Sequence, residues 1–98
     1  MPKGYWMVNI EITDAETYEG YKADAAAAVA AHGGRYLVRG DAKIEPREGD
    51  IYPRPVVIEF DSLDAACACY DSPEYQAAAK IRQASAKSRF AIVEGVPD

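Results

Sequence analysis

Between Tyr5 and Ile12 the chain alternates strictly, with Trp6, Val8, Ile10 and Ile12 at even positions and Tyr5, Met7, Asn9 and Glu11 at odd ones. Successive side chains of a strand point to opposite faces, so this period of two specifies a strand with one buried face. The pattern recurs from Arg35 to about Ile44 and in Arg89–Glu94, where Phe90 and Ile92 oppose Ala91 and Val93, and Val56–Phe60 reads as a further strand by its β-branched content. Four short strands in 98 residues leave room for a single sheet in one domain, expected to span residues 1–98.

The segments between the strands read as helices. Thr13 and Asp14 are N-cap candidates, and Glu16 and Glu19 fall where acidic groups suit the helix dipole. A helix over 15–31 follows, with Tyr18, Tyr21, Ala25, Ala28 or Val29, and His32 as its apolar stripe, closed by Gly33-Gly34. Glu45–Pro55 holds three prolines, one glycine and five charges, and reads as a surface connection. If the strands flanking it form a hairpin, pairing sums near 98 put Arg39 opposite Glu59. Asp61 or Ser62 caps a short helix over 63–70, with Leu63, Ala66, Cys67 and Tyr70 inward. Ser72-Pro73-Glu74-Tyr75 supplies an N-cap, a proline in the first turn, an acid and an aromatic anchor for a further helix to about Ser85, with Tyr75, Ala78 or Ala79, and Ile81 inward.

The order βαββαβ, with its second helix broken, predicts an α+β, ferredoxin-like fold: a four-stranded antiparallel sheet in spatial order 4-1-3-2 with helices on one face. The other face would then carry Tyr5, Met7, Leu37 and Val57, with two apolar residues of the last strand, among Asn9, Glu11, Arg35, Arg39 and Glu59. This is too apolar for water and too polar for a core, so the expectation is a homodimer that presses two helix-free faces together.

Several classes of function recede. Eleven basic against sixteen acidic residues leave a net charge of −5, which opposes binding to nucleic acid or to an anionic membrane. The longest uncharged apolar run, Ala25–Ala31, is far below the roughly 20 residues of a membrane span, and the first residues lack a secretory pattern, so a cytoplasmic protein is expected. Cys67 and Cys69 would project about 200° apart on a helix and cannot chelate one ion together, and with His32 the only histidine no metal site is expected. No Gly-x-Gly-x-x-Gly, phosphate loop or Gly-x-Ser-x-Gly is present, so no cofactor is expected.

The segments Gly33-Gly34-Arg35-Tyr36-Leu37-Val38-Arg39-Gly40, Val57-Ile58-Glu59-Phe60, Tyr70-Asp71-Ser72-Pro73-Glu74-Tyr75-Gln76 with Arg82, and Val93-Glu94-Gly95 resemble the bacterial domain-of-unknown-function family 1330, from Lys3 to Gly95. The resemblance implies the dimeric α/β-barrel fold, shared with small cofactor-free monooxygenases, isomerases and stress-response proteins. It implies a homodimer and no particular reaction. Asp41 stands where that family often has a second glycine after Gly40, so the end of the second strand is expected to differ.

Candidate site residues carry two readings each. His32, as the one imidazole, suits a general base, or it caps the carbonyls at its helix end. Glu59 in a dimer-closed cavity would have a raised pKa suited to proton abstraction, with Arg39, Arg35 and Asn9 beside it to bind an anion; the same charges also serve as ordinary cross-strand pairs. Trp6 and Tyr36 could stack a ligand or simply fill the core. The expected function is binding of a small organic molecule, aromatic or anionic, between helices and sheet or between the two sheets. Cofactor-independent proton abstraction by Glu59 or His32, with Arg39 holding the product enolate or carboxylate, would make it an isomerase or monooxygenase-like enzyme. A ligand-buffering or structural dimer is the alternative.

Overall fold

The computed structural model describes residues 2–97, so Asp98, the last residue of the expected tail, lies outside the described residues. Seven elements follow in the order β1 (Gly4–Ile12), α1 (Ala15–Ala31), β2 (Arg35–Val38), β3 (Arg54–Phe60), α2 (Leu63–Asp71), α3 (Pro73–Ser85) and β4 (Ala86–Glu94). All strand pairs are antiparallel, in the order β2-β3-β1-β4 that the sequence predicts.

Local chemistry fixes the helix ends. Asp14 Oδ1 accepts from the Thr17 amide at 3.2 Å and Oδ2 from the Thr17 hydroxyl at 2.7 Å, which makes Asp14 the N-cap of α1. Gly33, at φ 74°, lets the chain leave α1 while Gly34 N–H bonds the Val29 carbonyl at 2.9 Å. Ser62 caps α2, accepting from the Ala65 amide at 3.0 Å, and Ser72 caps α3, accepting from the Tyr75 amide at 3.2 Å with Pro73 at N1. Gly4 lies against the backbone of Ser62 and Leu63, where a Cβ would collide with both.

The even residues of β1 face the core as expected, Trp6, Val8 and Ile10 buried and Ile12 half-buried at its end. Trp6 is the hub: its indole N–H donates to the Ala66 carbonyl at 2.9 Å, and its ring meets Tyr75, Phe90 and Phe60 at centroid distances of 4.7, 5.0 and 5.2 Å. Tyr18, Tyr21, Ala25, Ala28 and Val29 turn inward from α1, whereas His32 is only half-buried.

Four expectations need correction. α2 is rotated from the expected stripe: Ala66 and Cys69 are buried, while Leu63, Cys67 and Tyr70 are only half-buried. On α3 the spacing 75, 78, 79, 82 runs to Arg82, which is 4% exposed, while Ile81 is half-buried. β4 begins at Ala86 rather than near Arg89, because it pairs along the whole of β1 to Ile12, and the Ser85 carbonyl accepts from the Thr13 and Asp14 amides at 2.8 and 3.0 Å.

The fourth correction concerns register. Glu59 faces Arg35, not Arg39, and the pairing slips after Tyr36–Ile58, so that Val38 pairs with Val57. Two residues, Leu37 and Val38, thus answer one. Such a bulge puts the residues beyond it out of phase with the alternation before it, and β2 ends at Val38 instead of running on to Ile44.

The helix-free face carries Met7, Leu37 and Val93, exposed at 49, 55 and 38%, beside Tyr5, Val57 and Ala91. Among the described residues no helix is long and apolar enough to cross a membrane.

Candidate functional site

Between α1 and the sheet lies a cleft of about 360 Å³. The even residues of β1 floor it, Tyr18 and Tyr21 descend from α1, Tyr36 closes the β2 side and Phe90 the β4 side. It exists because α1 presents small residues: Ala25, with Val29 one turn on, leaves space that longer side chains would fill. Its size sits at the low end for a small-molecule site, and its walls are aromatic and aliphatic, as such sites require.

Two guanidinium groups stand at its rim. Arg39 Cζ lies 3.9 Å from the centre of the Tyr36 ring, a stacked cation–π contact, while Arg54 Cζ lies 5.8 Å from that of Tyr18. Gly40 brings its main chain against the Arg54 guanidinium so closely that a Cβ there would overlap it. Arg54 Nε is buried without a hydrogen-bond partner, and neither Arg39 nor Arg54 joins an ion pair among the described residues. Lys22 also lines the cleft but pairs with Glu19 at 3.1 Å; Asp41 is the carboxylate that lines it. Behind the wall is Arg82, its Cζ 5.3 Å from the Phe90 ring centre and 5.9 Å from that of Tyr21, hydrogen-bonded to the Ser88 hydroxyl. The Tyr21 and Tyr75 hydroxyls share a buried hydrogen bond of 2.7 Å, and burial pushes both phenol pKa values up, so both stay protonated.

The residues singled out in the sequence fall in three places. Trp6, Tyr36 and Arg39 gather in the cleft. Arg39 was expected on the helix-free face, and the bulge that inverts the phase of β2 accounts for its move to the helix side. Arg35 and Glu59 remain on the helix-free face. There Arg35 Nη2 and Nε donate to Glu59 Oε1 at 2.9 and 3.2 Å, and the Tyr5 hydroxyl donates to Oε2 at 2.9 Å. The Arg35 and Tyr5 hydrogen bonds outweigh desolvation and hold the Glu59 carboxyl below the usual carboxylate range, the reverse of the raised pKa expected. Asn9 is on that face too, its Oδ1 accepting from the Tyr52 amide at 3.0 Å, while Arg89 stacks on the Tyr52 ring at 4.0 Å. Together they tie the long connection between β2 and β3 to the sheet. His32 sits at the C-terminal end of α1, where Nδ1–H donates to the Ala28 carbonyl at 3.0 Å, and it does not line the cleft.

Arg54, Asp41 and Arg82 were not anticipated as site residues, yet two of them carried a signal. Extending the alternation of Val56, Ile58 and Phe60 back by two positions puts Arg54 on the buried face, and the inward stripe of α3 reaches Arg82 seven residues after Tyr75. A charge on a core-facing position is the mark of both. Among the described residues no cluster of three potential metal ligands occurs.

The profile of a domain of unknown function, DUF1330, matches residues 3–96. The sequence matches none of the curated proteins. Among solved structures, a protein of unknown function from Rhodopseudomonas palustris superposes with a TM-score of 0.74 at 18% identity, covering 99% of this chain and 85% of that one. SnoaB, a cofactor-independent oxygenase from Streptomyces nogalater, superposes with a TM-score of 0.66 at 16% identity, over 100% of this chain and 97% of its own. A dimeric ferredoxin-like protein of unknown function from a Jannaschia species gives a TM-score of 0.69 at 16% identity, over 94% and 98%. At these identities the likeness establishes a shared ferredoxin-like fold.

Proposed function

The chain belongs to the DUF1330 family, and from that premise, which assigns no reaction, we propose that it is a homodimeric protein binding a small organic molecule in the cleft between α1 and the sheet. The observation that carries this reading is the cleft itself: about 360 Å³, walled by Trp6, Tyr18, Tyr21, Tyr36 and Phe90 and opening beside Arg39. The dimer is supported by the exposed Met7, Leu37 and Val93 on the helix-free face and by relatives of the same fold described as dimeric. Two such faces packed together would form the barrel, and each protomer would keep its own cleft on the outer, helical side.

Binding is favoured over turnover because neither proposed base, Glu59 or His32, lines the cleft. The catalytic reading draws on the fold shared with SnoaB, described as a cofactor-independent oxygenase. In this chain it would need Asp41 as the carboxylate that removes a proton from a bound carbon acid, with Arg39 beside the resulting anion.

The test uses 2-naphthamide, a neutral two-ring probe, followed by NMR of the Trp6 indole N–H and the Val8, Ile10 and Val56 methyl groups. Saturable shifts at these positions are expected. Shifts confined to Met7, Leu37 and Val93, or no shift at millimolar probe, would remove the cleft from consideration. Sedimentation velocity of the same sample should give twice the 10.7 kDa of one chain; a monomer at micromolar concentration would refute the dimer.

A further inference from the structure

We propose that the cleft selects a planar aromatic anion, with the aromatic body among Tyr18, Tyr36 and Trp6 and its carboxylate, or an equivalent oxyanion, held at the rim by Arg54 together with Arg39. This inference rests on the cleft reading above and adds the class of ligand.

Three observations converge on it. The chain carries a net charge of −5, yet the charged groups lining the cleft are Lys22, Arg39 and Arg54 against Asp41 alone, and a fourth cation, Arg82, stands behind the Tyr21–Phe90 wall. An acidic protein that concentrates cations around one apolar concavity focuses positive potential there and attracts anions to it. Second, Arg35 and Arg47 have carboxylate partners in Glu59 and Glu45 and Arg89 lies on the Tyr52 ring, but Arg39 and Arg54, both at the cleft, have no carboxylate partner among the described residues. Arg54 Nε is buried and unpartnered, a desolvated donor that a ligand oxygen would satisfy. Third, each rim guanidinium lies over a tyrosine ring, at 3.9 Å for Arg39–Tyr36 and 5.8 Å for Arg54–Tyr18. Those contacts hold the planar forks at the edge of the aromatic walls, so a flat ligand slid between the walls meets guanidinium N–H groups at its end. A guanidinium binds a carboxylate through two parallel hydrogen bonds, which a neutral amide cannot reproduce.

Isothermal titration of the full chain with 2-naphthoate and with 2-naphthamide separates charge from shape. We expect the naphthoate to bind roughly tenfold more tightly, since charge-assisted hydrogen bonds exceed neutral ones by that order, and its advantage to shrink as salt is raised. Arg54→Gln should weaken the naphthoate more than the amide and so shrink the preference. Gly40→Ala, which keeps every charge but pushes the Arg54 guanidinium off the main chain, should do so in part. Equal affinities in the native protein, or a preference that survives Arg54→Gln undiminished, overturn the assignment of the ligand class and leave the cleft reading intact. Failure of both probes to shift the Trp6 indole signal overturns the cleft reading and this assignment with it.

Discussion

The buried Tyr21–Tyr75 hydroxyl pair gives the sharpest test of the core as described. Tyr21 is 8% exposed and Tyr75 fully buried, their oxygens are 2.7 Å apart, and both remain protonated because burial disfavours the phenolates. Tyr75→Phe strands the Tyr21 hydroxyl in a site with little access to water, whereas Tyr21→Phe leaves the Tyr75 hydroxyl with Arg82 beside it. An orphaned buried polar group costs about 1–3 kcal/mol, whereas removing both partners can be nearly neutral. Unfolding entropy of about 2.1 cal/mol/K per residue gives roughly 0.2 kcal/mol/K for a chain of 98 residues, so each kcal/mol moves Tm by about 5 °C. Tyr75→Phe should therefore melt about 5–15 °C lower and Tyr21→Phe by less, and the double variant should lose clearly less than the sum of the two. Circular dichroism melts at pH 7 and one fixed protein concentration read this directly, the fixed concentration being needed because dimerisation makes Tm depend on it. Strict additivity in the double-mutant cycle would refute the hydrogen bond and the packing that brings α1 and α3 together through it.

Two other outcomes follow from groups outside the cleft. Glu59 is held below the ordinary carboxyl pKa of 4.5 by Arg35 and then by Tyr5, so its ionised form favours the folded state; that contribution is full above the unfolded value and fades as pH falls below about 4.5 through the lowered folded pKa. The Tm gap between the native protein and Glu59→Gln should accordingly be present at pH 7 and close by pH 3, and a gap independent of pH would contradict the pairing. Burial pushes the Cys69 thiol up to about 11 and its Sγ faces the Ala28 carbonyl at 3.6 Å, whereas Cys67 is partly exposed. Iodoacetamide at pH 8 should modify Cys67 and spare Cys69 until the protein unfolds, as peptide mass mapping would show; equal labelling of both would contradict the rotation of α2.

Periodicity carried the architecture. The alternation of β1, the Asp14 and Ser72 caps and the Gly33-Gly34 stop are local signals, decided within a few residues, and the fold follows them closely. The helix-free face was legible for the same reason on β1, β3 and β4, where parity places the side chains, while on β2 the slip takes Arg39 off it. Errors arose where the outcome depends on a partner strand. The length of β4 comes from pairing with β1, which draws Lys87 and Ser88 into the ladder despite their polarity. Cys69 rather than Cys67 is inward because α2 packs against β1 at an angle that nine residues with several alanines do not specify. The cleft was half visible: Trp6 and Tyr36 are in it, but placing Arg39 required the slip in β2, which leaves no mark in the sequence, and Arg54 was passed over inside a proline-rich connection.

That slip has a consequence for how sites of this kind diverge. The side of the sheet on which Arg39 sits is settled by the slip in main-chain pairing between Tyr36 and Val38, not by any side chain of its own. Substitutions along β2 can therefore tune what the cleft holds, and a single-residue deletion at Leu37 would remove the bulge yet leave the cation on the cleft side, whereas regular pairing of Leu37 with Val57 at full length would carry it through the sheet to the opposite surface. In a lineage of such proteins, gain or loss of an anion-binding rim thus turns on whether that one slip is kept, with the strand order of the sheet left in place.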